Sequence, residues 1–171
     1  KKIVISTLLA TTLLLSNSSA NNSSINSTSK IVESYEKLAS QGEIEAMFNL
    51  GLIYATGDGV KQDYTKAKEW FLKAANKNDT MSAYNLALIY KNGLGVPKND
   101  KEAYKYFLIA ANKNYAQAQY MLGNMIEKGQ GAKKDLKEAF SWFLKAAKQG
   151  HILSEYRVGK MYRLGEGVAK N

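Results

Sequence analysis

Few of the 171 residues are of a type and spacing that do chemistry. Cysteine is absent, which removes thiolate nucleophiles, disulfides and thiolate metal sites together. The single histidine, His151, follows Gly150 in a slot that Glu43, Asp79 and Tyr115 fill elsewhere along a repeating pattern, so it reads as a solvated turn residue. A general base would need a partner to orient it. No Gly-x-Ser-x-Gly nucleophile elbow occurs. Gly-x-G pairs recur, but without a preceding strand or a following Lys-Ser/Thr they are helix stops rather than phosphate cradles. No catalytic residue, metal ligand or cofactor is assigned, and binding is the remaining chemistry. Its candidates are aromatic rings and cations: Phe48, Tyr84, Tyr120 and Tyr156 in one register, with Asn124 and Lys160, then Lys91 and Arg163, in the neighbouring registers. Rigid rings with polar tips supply contact area, and Lys or Arg can hold a carboxylate.

These residues are placed by a period of 36. Leu50, Leu86, Leu122 and Val158 keep that step, as do Gly51, Ala87, Gly123 and Gly159, and Tyr54, Tyr90, Ile126 and Tyr162. The glycine pairs beginning with Gly57 and Gly59 repeat with it, and so do Ala67, Ala103 and Ala139, then Phe71, Phe107 and Phe143, and the Ala-Ala pairs that open with Ala74 and Ala75. Within a unit, Ala46, Leu50, Ile53 and Tyr54 form the stripe of one buried helix face, here helix A. Asp63, Asn99 and Asp135 stand where an N-cap oxygen opens a second helix, B, with Glu102 and Glu138 placed to complete a capping box. Asn78, Asn114 and Gly150 end helix B in turn chemistry. Each hairpin is too small to fold alone and buries its stripe on the next. The fold class is therefore all-α, an α-solenoid of antiparallel hairpins.

The expected organisation is a signal peptide over 1–20, a flexible linker over 21–30, a half repeat over 31–43, repeats over 44–79, 80–115 and 116–151, and a partial repeat over 152–171. Lys1 and Lys2, the uncharged run Ile3 to Leu15 and the small residues Ser18-Ser19-Ala20 carry the first assignment. A helix over that run would rise only ~20 Å, short of a hydrocarbon core of roughly 30 Å, so no membrane insertion is expected after cleavage. The protein is expected in the periplasm or outside the cell. A last helix A exposing Tyr162 and Leu164 leads us to expect that more chain or a partner covers it.

The pattern A-x-x-x-L-G-x-x-Y-x-x-G-x-G-V followed by A-x-x-W-F-x-x-A-A, carried by Ala46, Leu50, Gly51, Tyr54, Gly57, Gly59, Val60, Ala67, Trp70, Phe71, Ala74 and Ala75, resembles the Sel-one-like repeat family, cousins of tetratricopeptide repeats. The resemblance implies a right-handed superhelix whose helices A line a concave face and serve as a scaffold for proteins or peptides. Some secreted members staple each hairpin with a C-x7-C pair and are linked to β-lactam binding. Here those positions hold Ala39 and Met47, Ala75 and Ala83, Ala111 and Gln119, and Ala147 and Glu155. β-Lactam binding or a weak β-lactamase-like activity is the alternative reading, by analogy alone.

The formal charge is +9, from 24 Lys and Arg against 15 Asp and Glu. Counted by segment it runs −1 over 21–43, zero over 44–79, +3 over 80–115, +3 over 116–151 and +2 over 152–171. This gradient favours an acidic or carboxylate-bearing protein or peptide near the later repeats over nucleic acid along the whole molecule.

Overall fold

The structure, a computed structural model, describes residues 18–170, with side chains from Ser29 onward. The signal-peptide assignment lies outside the described residues except for its last three positions. Eight helices follow one another among the described residues: α1 (Ser18–Ser40), α2 (Ile44–Thr56), α3 (Tyr64–Asn76), α4 (Thr80–Asn92), α5 (Asp100–Asn112), α6 (Ala116–Lys128), α7 (Leu136–Ala147) and α8 (Ile152–Leu164). Even-numbered helices are of type A and odd-numbered ones of type B. Residues 21–30, the expected linker, are helical within α1. Once a helix is nucleated by a packed segment, each further residue adds a hydrogen bond for one residue fixed, which outweighs the modest penalties of Ser and Asn. Val32, Tyr35 and Ala39 of α1 supply that packed segment.

The chain divides into two compact units, the first running to Ile89 with Leu94–Pro97, the second comprising Tyr90–Gly93 and Lys98 onward. In the first unit Ala39, Ala46, Met47, Leu50 and Ala74 form a core edged by Val32, Tyr35, Ile44, Tyr54 and Trp70. In the second, Phe107, Leu122, Met125, Ile126 and Phe143 are wholly buried.

Both units build the hairpin by the same contact. A Cβ added to Gly51 would lie 2.5 Å from the ring of Phe71, and one added to Gly123 would lie 2.7 Å from the ring of Phe143. Helices A and B therefore touch where A has no side chain and B has a flat ring. A backbone clip closes the loop: the amide of Asp63 donates to the Tyr54 carbonyl at 2.8 Å, Asn99 to Tyr90 at 2.9 Å and Asp135 to Ile126 at 3.3 Å. The side chains of these three residues cap helix B as expected, accepting from Lys66, from Lys101 and Glu102, and from Glu138. The second half of the capping box is displaced. Because the cap amides are spent on the clip, the Glu138 carboxylate accepts from the Trp142 indole at 3.4 Å, and that of Glu102 pairs with Lys105 at 3.5 Å.

The glycine pairs do two jobs. The first of each pair ends helix A in the left-handed region, as at Gly57, Gly129 and Gly165. In the later pairs the second presses against an earlier helix B: a Cβ on Gly131, at φ +75°, would strike the Asp100 carbonyl and sit 2.9 Å from the Tyr104 Cβ. Gly95 likewise faces Tyr64, at 2.7 Å. The slot after helix B is also left-handed, filled by Asn78, Asn114 and Gly150, the residue types that tolerate it.

His151 corrects another sequence expectation. It is the N-cap of α8, with Nδ1 accepting from the Ser154 amide at 3.3 Å and lying 2.9 Å from the Ser154 hydroxyl. Accepting at Nδ1 requires the neutral ring with its proton on Nε2. Burial pushes the His151 pKa below its usual 6.5, and the Glu155 charge opposes that shift only in part.

Two outcomes follow from these contacts. Gly131→Ala and Gly150→Ala both place alanine at positive φ, but Gly150 has nothing within 4 Å of its added Cβ. In urea titrations Gly150→Ala should cost about 1 kcal/mol, and Gly131→Ala about 3 kcal/mol or more; equal costs would refute the close approach. The neutral His151 cap contributes fully above the usual pKa of 6.5 and is lost as pH falls through the lowered native value. His151→Asn keeps a cap without titration, so its melting temperature should gain on the parent between about pH 7.5 and 5. A constant difference would show that the ring does not cap as neutral imidazole.

Candidate functional site

The aromatic register does not present one uniform surface. Phe48 is 1% exposed and its ring lies 5.9 Å from that of Phe71, so it belongs to the core of its hairpin. Tyr84 is buried too. Both departures from the expected groove have one form, since the position lies in packed interior rather than on open surface. Tyr120 is half-buried, between Phe143 at 5.8 Å and His151 at 4.9 Å. Tyr156 is 66% exposed. Of the neighbouring registers, Lys91, Asn124 and Lys160 are half-buried and Arg163 is exposed.

The structural repeat positions sit in their hairpins. Leu50, Gly51, Ala67 and Phe71 are buried, Ala75 is half-buried, Gly57 and Gly59 have positive φ, and Tyr54 carries the Lys66 ammonium 5.0 Å from its ring centre.

Three of the candidate binding residues meet in the second unit. Lys91, Tyr120 and Asn124 line a cleft of about 650 Å³ together with Lys98, Asp100 and Lys128. Helix ends explain the convergence. Lys91 lies in the last turn of α4, where a cation suits the carbonyl end of the helix dipole, and Asp100 lies in the first turn of α5, where an anion suits the amide end. Tyr120, Asn124 and Lys128 recur four residues apart on one side of α6. The clip from Asn99 to Tyr90 holds the end of α4 beside the start of α5. Lys98 pairs with Asp100 at 3.5 Å, so the cleft holds three ammonium groups against one carboxylate that is already engaged. Asn124 Nδ2 donates to the Tyr120 carbonyl at 3.1 Å, which fixes the amide and leaves its oxygen as an acceptor. Such a cleft suits a carboxylate and a peptide backbone. Sequence reasoning missed Lys98 and Lys128, which lie outside the 36-residue registers that it compared.

At the positions of the cysteine staple, Gln119 replaces a covalent link with hydrogen bonds. Its Nε2 donates to the Ala111 carbonyl at 3.2 Å and to Asn114 Oδ1 at 3.1 Å, and its Oε1 accepts from Gln149 at 2.7 Å. Nearby, Arg157 pairs with Glu127 through a charge-assisted hydrogen bond and lies 5.4 Å from the Phe143 ring. Neither residue was singled out by the sequence.

A Ser-x-x-Lys spacing is present twice on α1, as Ser27 with Lys30 and Ser34 with Lys37. Ser34 and Lys37 are both exposed, which leaves them without the enclosure that an acyl-transfer nucleophile needs. Among the described residues no group of three His, Cys, Asp or Glu is placed to hold a metal ion. No helix among them is long and apolar enough to cross a membrane.

Comparison with known proteins agrees with this architecture. No curated protein matches the chain. A solved structure of a protective antigen present in uropathogenic Escherichia coli strains, which displays an SLR fold, is 37% identical, with a TM-score of 0.79 over 82% of this chain and 30% of its own. A Sel1 repeat protein from Oxalobacter formigenes is 31% identical, with a TM-score of 0.77 over 91% of this chain and 65% of its own. Cysteine-rich protein B of Helicobacter pylori, at 24% identity and a TM-score of 0.56, shares the fold over 72% of this chain and 94% of its own. The chain thus spans less than a third of the first relative and under two thirds of the second. The Sel1 repeat model matches residues 44–79, 80–115, 116–151 and 152–171, so the chain, an all-α helical-repeat solenoid, belongs to the Sel1 repeat family.

Proposed function

We propose that this protein is an exported scaffold that holds an extended, carboxylate-bearing segment of a partner protein in the cleft of its second unit. Sel1 repeat proteins are typically protein–protein interaction scaffolds. The observation that carries the finer reading is the convergence of Lys91, Lys98 and Lys128 with Tyr120 and Asn124 around about 650 Å³ of half-enclosed space. Half-enclosure lowers the local dielectric, so a carboxylate there gains more from the ammonium groups than it would on open surface. The Tyr120 ring supplies apolar area beside the charges, and Asn124 supplies an acceptor for a backbone N–H. An extended segment leaves its backbone groups unpaired and alternates its side chains, which matches a cleft with one polar and one aromatic wall. Export rests on the amino-terminal pattern of Lys1-Lys2, the uncharged run and Ser18-Ser19-Ala20.

The reading is tested with labelled peptides of roughly ten residues that differ in Asp and Glu content. Acidic peptides should bind more tightly than neutral ones, and binding should weaken as salt rises. Lys91→Glu with Lys128→Glu should lower affinity for the acidic peptides by at least about tenfold, while Lys61→Glu, in an exposed loop of the first unit, should not. Equal affinity for neutral and acidic peptides, or no loss in the double variant, would dismiss the cleft. Export is tested separately by fractionating the host and sequencing the mature amino terminus. An intact leader in the cytosol would end that part of the proposal.

A further inference from the structure

Asparagine stands directly before glycine at one place in the sequence, Asn92-Gly93, and Asn92 is among the residues that line the cleft. The other repeats put Thr56, Lys128 and Leu164 in that slot, so the pair belongs to one repeat and not to the fold. Asn92 is exposed and is the last residue of α4. Elsewhere the carboxamides are engaged: Asn99 caps α5, Asn114 accepts from Gln119 and Gln149, and Asn124 donates to the Tyr120 carbonyl. That of Asn92 holds no such bond among the described residues. Gly93, at φ +69°, has no side chain to shield its amide nitrogen. The turn is closed by the Leu94 amide donating to the Ile89 carbonyl at 3.0 Å. A terminal helical turn opens at low cost, and opening brings the Gly93 nitrogen against the Asn92 carboxamide carbon.

We infer that Asn92 is a self-modification site, at which the Gly93 amide nitrogen closes on the Asn92 side chain and the resulting carboxylate adds a second negative charge to the cleft. The Gly93 nitrogen gives up its proton and bonds to Cγ, the bond from Cγ to Nδ2 breaks, and the nitrogen leaves with that proton as ammonia. Water then opens the cyclic imide at either carbonyl, giving aspartate or isoaspartate. No electron is gained or lost, and water is the only co-reactant.

Charge favours the reaction at this place. The attacking nitrogen is an anion and the addition intermediate an oxyanion, and the ammonium groups of Lys91, Lys98 and Lys128 line the same cleft, where fixed positive charge stabilises both. The consequence, which rests on the reading of the cleft as a carboxylate site, is a loss of affinity for acidic segments. The cleft passes from three ammonium groups against Asp100 alone to the same three against two carboxylates. Isoaspartate also adds a backbone atom next to Lys91. The change is one-way, so it acts as a clock on the scaffold.

Peptide mapping by mass spectrometry of the folded protein, held in mildly alkaline buffer, tests the inference. The peptide containing Asn92 should gain the mass that replaces an amino group by hydroxyl, ahead of those containing Asn78, Asn99 and Asn114, and should accept methyl groups from an isoaspartyl methyltransferase. Asn92→Gln, whose longer side chain closes the imide far less readily, should keep its amide. Lys91→Glu with Lys128→Glu should slow the conversion of Asn92. Asn92→Asp, with unchanged helical circular dichroism, should bind the acidic peptides about two- to fivefold more weakly than the parent, the size of one exposed ion pair. An Asn92 that changes no faster than the other asparagines overturns the inference. So does a rate that the double lysine variant leaves unmoved, and so does equal affinity of Asn92→Asp and a parent that prefers acidic peptides. A parent with no such preference dismisses the cleft and the loss of affinity with it, while the mass map and the rate in the double variant still decide the modification.

Discussion

The whole structure depends on how closely helix A and helix B approach at the phenylalanine ring. A ring edge within about 3 Å of where a Cβ would stand leaves no tolerance for a side chain at Gly51 or Gly123. Dispersion energy falls steeply with a gap of even half an ångström, so this contact is either made fully or largely lost. Alanines on either side of the ring, Ala67 and Ala74 around Phe71 and Ala139 and Ala146 around Phe143, hold the two backbones at that distance. In a chain without cysteine no covalent staple restricts the hairpins, so they rest on such packing together with the backbone clips.

The short distance sets the loops. With the helices this close at Gly51 and Gly123, the cap amide of helix B lies within reach of a carbonyl in the last turn of helix A, and the clip forms at 54/63 and 126/135, as it also does at 90/99 where Ala87 holds the glycine slot. The clip consumes the donor that a capping box would use, which is why the glutamates turn along the helix. It also fixes the second glycine of the later pairs, Gly95, Gly131 and Gly167, which must then pass close to an earlier helix with no Cβ to spare. Helix pairing, loop closure and glycine spacing are one geometric solution stated three times.

What the sequence makes legible are quantities that repeat. Periodicity reveals the helices, the caps at Asp63, Asn99 and Asp135, the left-handed slots at Asn78, Asn114 and Gly150, and the buried rings, because each recurs at a fixed step and averages out local noise. It is silent on what occurs once. The His151 cap, the Gln119 amide bonds and the Arg157–Glu127 pair each depend on side chains that their counterparts in other repeats lack. The cleft is harder still to foresee, since Lys98 and Lys128 come from a loop and a helix end that no single register contains. The start of α1 fails for a different reason. Its Ser and Asn residues give no apolar signal, and their helical state is inherited from the packed turns that follow.

One register shows how the same repeat position takes different surroundings without a change of fold. Phe48, Tyr84, Tyr120 and Tyr156 hold the same place on successive A helices, yet they pass from 1% and 5% exposure through half-burial to 66%. Backbone position does not set the role of such a ring. What covers it does, and that is decided by residues a repeat away. Where cover is complete the slot favours an apolar ring, and where cover thins a phenolic oxygen can reach water while the ring still packs, as Tyr120 does on Phe143. Cations accumulate over the same stretch, because a surface no longer committed to internal packing can carry charge without desolvating it. Along this register, therefore, exposure and positive charge rise together toward the later repeats.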